Sequence, residues 1–313
     1  MKFISQIFLV FFLIVIAIIT GCSNTTDKPS ETLSTPLSKE TSQPTQPTSE
    51  AFNNYWYAGT AEITSYQLEQ ARYGEIHKGK AVMIYVTEDF NPTKQVKADT
   101  QRSDNVSVLK LNATKKFNTG IYPYSVMTST FYPVTNQQHA IKVTSSMQEW
   151  CGHVFMQLNN REKFKVQSYS YFESESDQKL DLEKSIIEDE LWAQLRISPN
   201  TLPTGTHQII PSFEMIRMRH VPLKSYKAEL KLDTSDSLTT YTISYPELKR
   251  TVAIHFNSYF PHDILSWTET TQTGYGNAAK ILTTKATKIK QIKSAYWSKN
   301  SVKDSILRKE LGL

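Results

Sequence analysis

The chain has 313 residues, a formal net charge of +5, 39% hydrophobic and 21% charged residues, and ten glycines. These values exclude a collagen-like, wholly disordered or coiled-coil chain and fit a globular protein with one large core or two modest ones. Lys2 adds one charge and residues 22–50 sum to −2, which leaves residues 51–313 at +6, a mild excess that falls well short of a dedicated nucleic-acid binder.

At the N-terminus, Lys2 precedes Phe3, Ile4 and an apolar run over residues 7–19 that closes on Thr20-Gly21-Cys22. This is the layout of a secretory signal, and the run is short for a spanning helix. Ile19-Thr20-Gly21-Cys22 also resembles the lipobox of bacterial lipoproteins. That resemblance implies that residues 1–21 are a cleaved signal peptide, that Cys22 carries lipid on its thiol, and that the folded part is held at a membrane outside the cytoplasm, in the bacterial cell envelope. Residues 23–50 hold thirteen Ser or Thr, four Pro and no aromatic residue. So little apolar surface cannot offset the entropy of ordering, so residues 22–50 are expected to be a disordered tether, roughly 30 Å end to end on average. With Cys22 lipidated only Cys151 remains, and no intramolecular disulfide is expected.

Beyond Trp56 the chain changes to short runs of Tyr, Val, Ile, Thr and Phe broken by Gly, Pro, Asn and Asp about every ten residues. This predicts a mainly β protein of antiparallel sheets or open barrels. Strands are expected at 81–86, 106–111, 122–132, 140–147, 154–158 and 164–172, and again at 226–232, 239–245, 251–256, 264–270 and 281–292, many with period-2 alternation. Between them, Leu180, Ile187, Leu191 and Leu195 recur at helical spacing and predict one internal helix over 180–195, with the acidic Glu183, Glu188, Asp189 and Glu190 on its other faces. A short C-terminal helix is expected over 302–311, capped by Ser301. Tyr73-Gly74-Glu75 and Tyr245-Pro246-Glu247 each precede an apolar strand, which raises an internal duplication. The expected units are then 51–198 and 199–313, or one continuous domain, with a boundary in the Pro-rich stretch 198–211.

The segment 61–75 (AEITSYQLEQARYGE), Gln148-Glu149-Trp150-Cys151-Gly152 and Lys293-Ser294-Ala295-Tyr296-Trp297 resemble a family of uncharacterised lipoproteins of Bacteroidota. Its members often carry the label "septum formation inhibitor Maf", a name belonging to cytoplasmic nucleotide pyrophosphatases with a Ser-x-Ser-Pro-Arg-Arg phosphate loop. No such loop occurs in this sequence. The family has no established catalytic residues to carry over to this sequence.

There is no Gly-rich phosphate cradle, no Gly-x-Ser-x-Gly elbow and no His-Glu-x-x-His pair, and the seven histidines are scattered, so no metal site or cofactor is expected. Cys151 and His153 would share one face of a strand, where an imidazole can activate a thiol. The simpler expectation is a buried, unreactive Cys151 with Trp150 in the opposite core. Glu69, Arg72 and Glu75 offer a polar group at a barrel mouth or an ordinary surface ion pair. Lys285, Lys288, Lys290 and Lys293 either protect an edge strand or meet an anionic lipid or acidic glycan. The reading is an exported, lipid-anchored binding or assembly module, with envelope proteins, anionic lipid or glycan as partners. The alternative is an envelope hydrolase assembled from distant residues. A cavity with convergent carboxylates, or a Cys151–His153–acid arrangement, would mark the enzyme, and a packed or apolar-lined barrel the binding module.

Overall fold

The computed structural model describes residues 48–135, 138–273 and 276–313, so the signal-like segment, Cys22 and nearly all of the expected tether lie outside them. The described chain opens on helix α1 (Glu50–Trp56), which Ser49 caps by accepting the Phe52 N–H at 3.1 Å, so helix begins at the tether's expected last residue.

Two meanders follow. The first runs β1 (Ala61–Arg72), β2 (Glu75–Asn91), β3 (Val96–Lys97), β4 (Val106–Thr119), β5 (Tyr122–Pro133), β6 (Lys142–Glu149), β7 (Gly152–Asn160), β8 (Phe164–Tyr169) and β9 (Gln178–Leu182). The second runs β10 (Ile186–Ile187), β11 (Gly205–Ile210), β12 (Tyr226–Ser235), β13 (Leu238–Tyr245), β14 (Arg250–Asn257), β15 (Ile264–Thr273) and β16 (Lys280–Ser294). The protein is mainly β, and its pairings are antiparallel except β10–β11. β16 pairs with β1, from Ala61 opposite Ser294 to Glu69 opposite Lys285, so both meanders belong to one sheet. The sheet ends at β9 and β10, which only residues 183–185 separate in sequence.

Strand alternation decides which side faces in. On β13, Thr239, Tyr241, Ile243 and Tyr245 are buried, and on β14 Arg250, Val252, Ile254 and Phe256. These meet Tyr66, Leu68, Met83, Tyr85 and Leu111 of the first meander in one core, so residues 51–198 and 199–313 share a single interior. The Tyr73 and Tyr245 segments are both hairpin corners but of different build. Tyr73-Gly74 is a two-residue turn with φ of +52° and +80°, whereas Tyr245 ends a strand before a longer turn closing at Lys249.

The internal helix α2 (Glu188–Ile197) starts eight residues later than its spacing suggests and stops before Pro199 as expected. Leu180 and Leu182 belong to β9, paired with Val166 and Phe164. α2 is the crossover that a parallel β10–β11 pair requires, and it lies inside the sheet: Trp192 receives the Tyr85 hydroxyl at its carbonyl (3.0 Å) and packs edge-on to Trp267 at 5.5 Å. Its acidic residues face the interior: Glu188, Asp189 and Glu190 are all buried. Two further helices complete the fold. α3 (Phe213–Arg219) is capped by Ser212, and α4 (Ile306–Glu310) follows a 3-10 turn whose capping box joins Ser301 and Asp304. The C-terminal segment lays Leu311 on the outer face of the sheet over Ala61, Ile63 and Val86. No helix among the described residues is long and apolar enough to cross a membrane.

Candidate functional site

A concavity of about 1120 Å³ lies on the outer face of β1, β2, β4 and β5. Outward side chains of consecutive strands make its floor. Ile63 of β1 stands opposite Ile84 of β2, and Val82 stands opposite Thr114 of β4, which in turn faces Met127 of β5. One wall is the C-terminal segment with Lys299, Leu307, Arg308 and Leu311, and Trp150 stands at the far end. Met127 and Trp150 remain 39% and 63% exposed.

The groove is also basic. Lys78, Lys80, Lys116, Lys299 and Arg308 line it against two side-chain carboxylates, Glu149 and Asp304. Glu149 is bound by Arg217 at 2.6 Å, and Asp304 accepts the Ser301 N–H at 3.0 Å. Lys80 and Lys116 stand directly opposite each other on β2 and β4. Like charges in that position destabilise a sheet. Among the described residues, neither has a carboxylate within ion-pair distance. The strands approach closely beside them because residue 79 is glycine: a Cβ there would stand 2.4 Å from the Lys116 carbonyl oxygen.

The lysines singled out in the sequence occupy a different place. β16 is an interior strand between β15 and β1, which overturns the expectation of an edge strand. A register shift between Ser65 and Tyr66 puts Lys290 opposite Ser65 and Lys288 opposite Tyr66. Lys288 reaches Asp263 at 3.3 Å, and Lys293 donates to the Tyr55 carbonyl and sits 3.6 Å from that ring's centre. Lys285 and Lys290 are exposed, Lys285 opposite Glu69. The four therefore do not make one basic face. Lys78, Lys80 and Lys116 carry no local signal in the sequence, since only the β2–β4 pairing brings them together.

Cys151 is not on a strand. Trp150 and Cys151 form the corner between β6 and β7, so Cys151 and His153 do not share a strand face. The thiol-bearing residue is exposed, which corrects the expectation of a buried Cys, and Trp150 lies in solvent instead of a core. The nearest acid in sequence, Glu149, is spent on Arg217. Native protein should therefore label at Cys151 with iodoacetamide as fast as denatured protein, and equally fast in His153→Ala. A rate that drops in His153→Ala would restore the activated-thiol reading. Glu69, Arg72 and Glu75 also separate: Glu69 and Glu75 are exposed, while Arg72 donates to the Met218 carbonyl oxygen at 2.5 Å.

Carboxylates do converge in the interior. A cavity of about 60 Å³ is lined by Glu188, Asp189, Glu214 and Glu269 together with Lys115 and Arg250. Arg250 grips Glu188 with both terminal nitrogens at 2.6 and 2.7 Å and Glu269 through Nε at 2.5 Å. Lys115 reaches Glu214 at 2.8 Å. Burial pushes the Glu269 carboxyl up, but Arg250 and Lys115 outweigh it and hold the group below the usual range. Among the described residues the Asp189 carboxylate accepts the Phe213 N–H alone, at 3.1 Å, and burial, reinforced by Glu188 and Glu214, pushes it up to about 7. A second interior pair, Arg196 with Glu62 at 2.6 and 2.7 Å, fixes the other end of α2, both side chains 1% exposed. A space of 60 Å³ holds a few waters and no substrate, so these carboxylates serve to seat α2.

No protein-family profile matches the chain, and no curated protein does. Among solved structures, a β-barrel-like protein of a domain of unknown function, DUF1849, from Brucella abortus is similar over 75% of this chain and 98% of its own, at 10% identity and a TM-score of 0.45.

Proposed function

We propose that the protein is an exported binding module, anchored by lipid on Cys22 at the bacterial envelope, whose outer groove takes an elongated amphiphile with an anionic head. The observation that carries this reading is the uncompensated Lys80–Lys116 pair beside an apolar lane of Ile63, Val82, Ile84 and Met127. An anionic head between the two ammonium groups relieves their repulsion, and an acyl chain covers the lane. The volume suits an acyl lipid. The hydrolase alternative has less support: the nearest acid to the Cys151 corner is bound by Arg217, and the interior carboxylates, of which Glu188, Glu214 and Glu269 are ion-paired, surround a space too small for a substrate.

Mass spectrometry of the native membrane-extracted protein tests both parts. The expected chain begins at an acylated Cys22 and carries a co-purifying anionic amphiphile. With each lysine contributing about 1 kcal/mol toward an anionic head, Lys80→Gln/Lys116→Gln should weaken a dansylated fatty acid roughly 30-fold. Lys285→Gln should leave that affinity unchanged. An unmodified Cys22 defeats the anchor, and equal binding by the double variant defeats the groove.

A further inference from the structure

A separate cavity of about 350 Å³ lies between α3 and the ends of β1, β15 and β16. Gln70, 5% exposed, lines it, and its Nε2 donates to the Ala71 carbonyl at 3.3 Å and to Thr284 Oγ1 at 3.1 Å. A carbonyl can only accept, so that bond fixes the amide's orientation and leaves Oε1 as the free acceptor. Oε1 has no partner, an expensive condition for a buried carbonyl oxygen. Beside it, Arg72 donates to two neutral groups, the Met218 carbonyl oxygen and the Tyr73 hydroxyl (3.2 Å), and its Nε has no partner. No carboxylate among the described residues lies within ion-pair distance of Arg72. The two glutamates on the wall, Glu214 and Glu269, are bound by Lys115 and Arg250 from the interior side. Met215 and Met218 supply an apolar, adaptable surface.

We infer that this cavity is a second ligand site, for a small organic carboxylate that also carries a hydroxyl or amine donor. The carboxylate pairs with the Arg72 guanidinium, the donor meets Gln70 Oε1, and the ligand's body lies on Met215 and Met218. Arg72, although stacked over the Tyr73 and Tyr124 rings, has no carboxylate, so such a ligand matches an anion-free cation and an unpaired acceptor at once, which neither a simple anion nor a neutral alcohol does. The site is distinct from the outer groove and does not depend on what the groove holds.

Calorimetric titration of the full chain with 3-phenyllactate, phenylalanine, 3-phenylpropanoate and 3-phenyl-1-propanol tests it. The first two are expected to bind at least tenfold more tightly than 3-phenylpropanoate, and the alcohol most weakly. Arg72→Gln should weaken 3-phenyllactate at least tenfold. Gln70→Met should bring 3-phenyllactate down to the level of 3-phenylpropanoate without changing the latter, which decides the question even if the Arg72 variant folds poorly. Lys80→Gln/Lys116→Gln should change none of these values. Absence of saturable binding by both donor-bearing carboxylates, equal binding of the alcohol, or an unchanged preference in Gln70→Met would each overturn the proposal.

Discussion

Arg250→Met is expected to lower the unfolding free energy by about 3–5 kcal/mol, the usual cost of removing one side of a buried ion pair. Arg250 sits on β14 with its guanidinium 2% exposed and is the shared counter-charge for Glu188 on α2 and Glu269 on β15. The Tyr245 hydroxyl also donates to Glu188 at 2.8 Å, but a neutral donor cannot balance two carboxylates. In a unit of this size the loss corresponds to a melting temperature lower by roughly 10–15 °C. Arg250→Met/Glu188→Gln should recover part of it, because the double change removes one stranded charge with the cation. Thermal unfolding of the three proteins at neutral pH measures this. A loss below about 1 kcal/mol in Arg250→Met would mean that α2 is not held by this network.

Asp189→Asn is expected to change how stability depends on pH. The buried Asp189 carboxyl titrates at about 7, well above an ordinary aspartate, chiefly through burial. Between about pH 4 and pH 7 the folded protein therefore holds a proton that the unfolded chain has released, so this group's contribution falls as pH rises and is fully unfavourable above 7. A shift of about three units corresponds to roughly 4 kcal/mol at 1.36 kcal/mol per unit. Asparagine keeps an oxygen for the Phe213 N–H and has no charge to bury. The variant should match the native protein near pH 4 and exceed it by roughly 2–4 kcal/mol near pH 8. Glu188, Glu214 and Arg250 face Asp189 and are present in both proteins, so the difference between their denaturant-unfolding curves isolates residue 189. Equal stability at both pH values would show that Asp189 is ionised without penalty.

The strands were legible because their signal is local. Alternation along β13 and β14 reports directly which side chains face inward, and turn residues mark the corners. The helix boundary differs from the expected one because Leu180 and Ile187 stand seven apart, a spacing that suits a helix, while Lys179-Leu180-Asp181-Leu182 carries the shorter alternation of the strand it forms. The acidic run Glu188-Asp189-Glu190 does signal a helix N-terminus, yet it reads as a solvated face unless its partners are known. Cys151 lies in the corner and not on the expected strand, because β7 begins only at Gly152, packed so tightly under Tyr171 that a Cβ would stand 2.5 Å from its ring.

Composition and short-range patterning were thus enough by themselves to determine that this chain forms an antiparallel β protein with one internal helix; that the helix is buried was decided by the tertiary structure. What only the tertiary structure decided is which distant residues meet. Arg196 and Glu62 are 134 positions apart, Lys80 and Lys116 become neighbours through β2–β4 pairing, and β16 becomes interior only because it pairs with β1. The physical reason is that a lysine on an alternating strand looks the same whether its neighbour is an acid, another lysine or water. Strand order and register select among these, and they are set by burial of the whole sheet around α2.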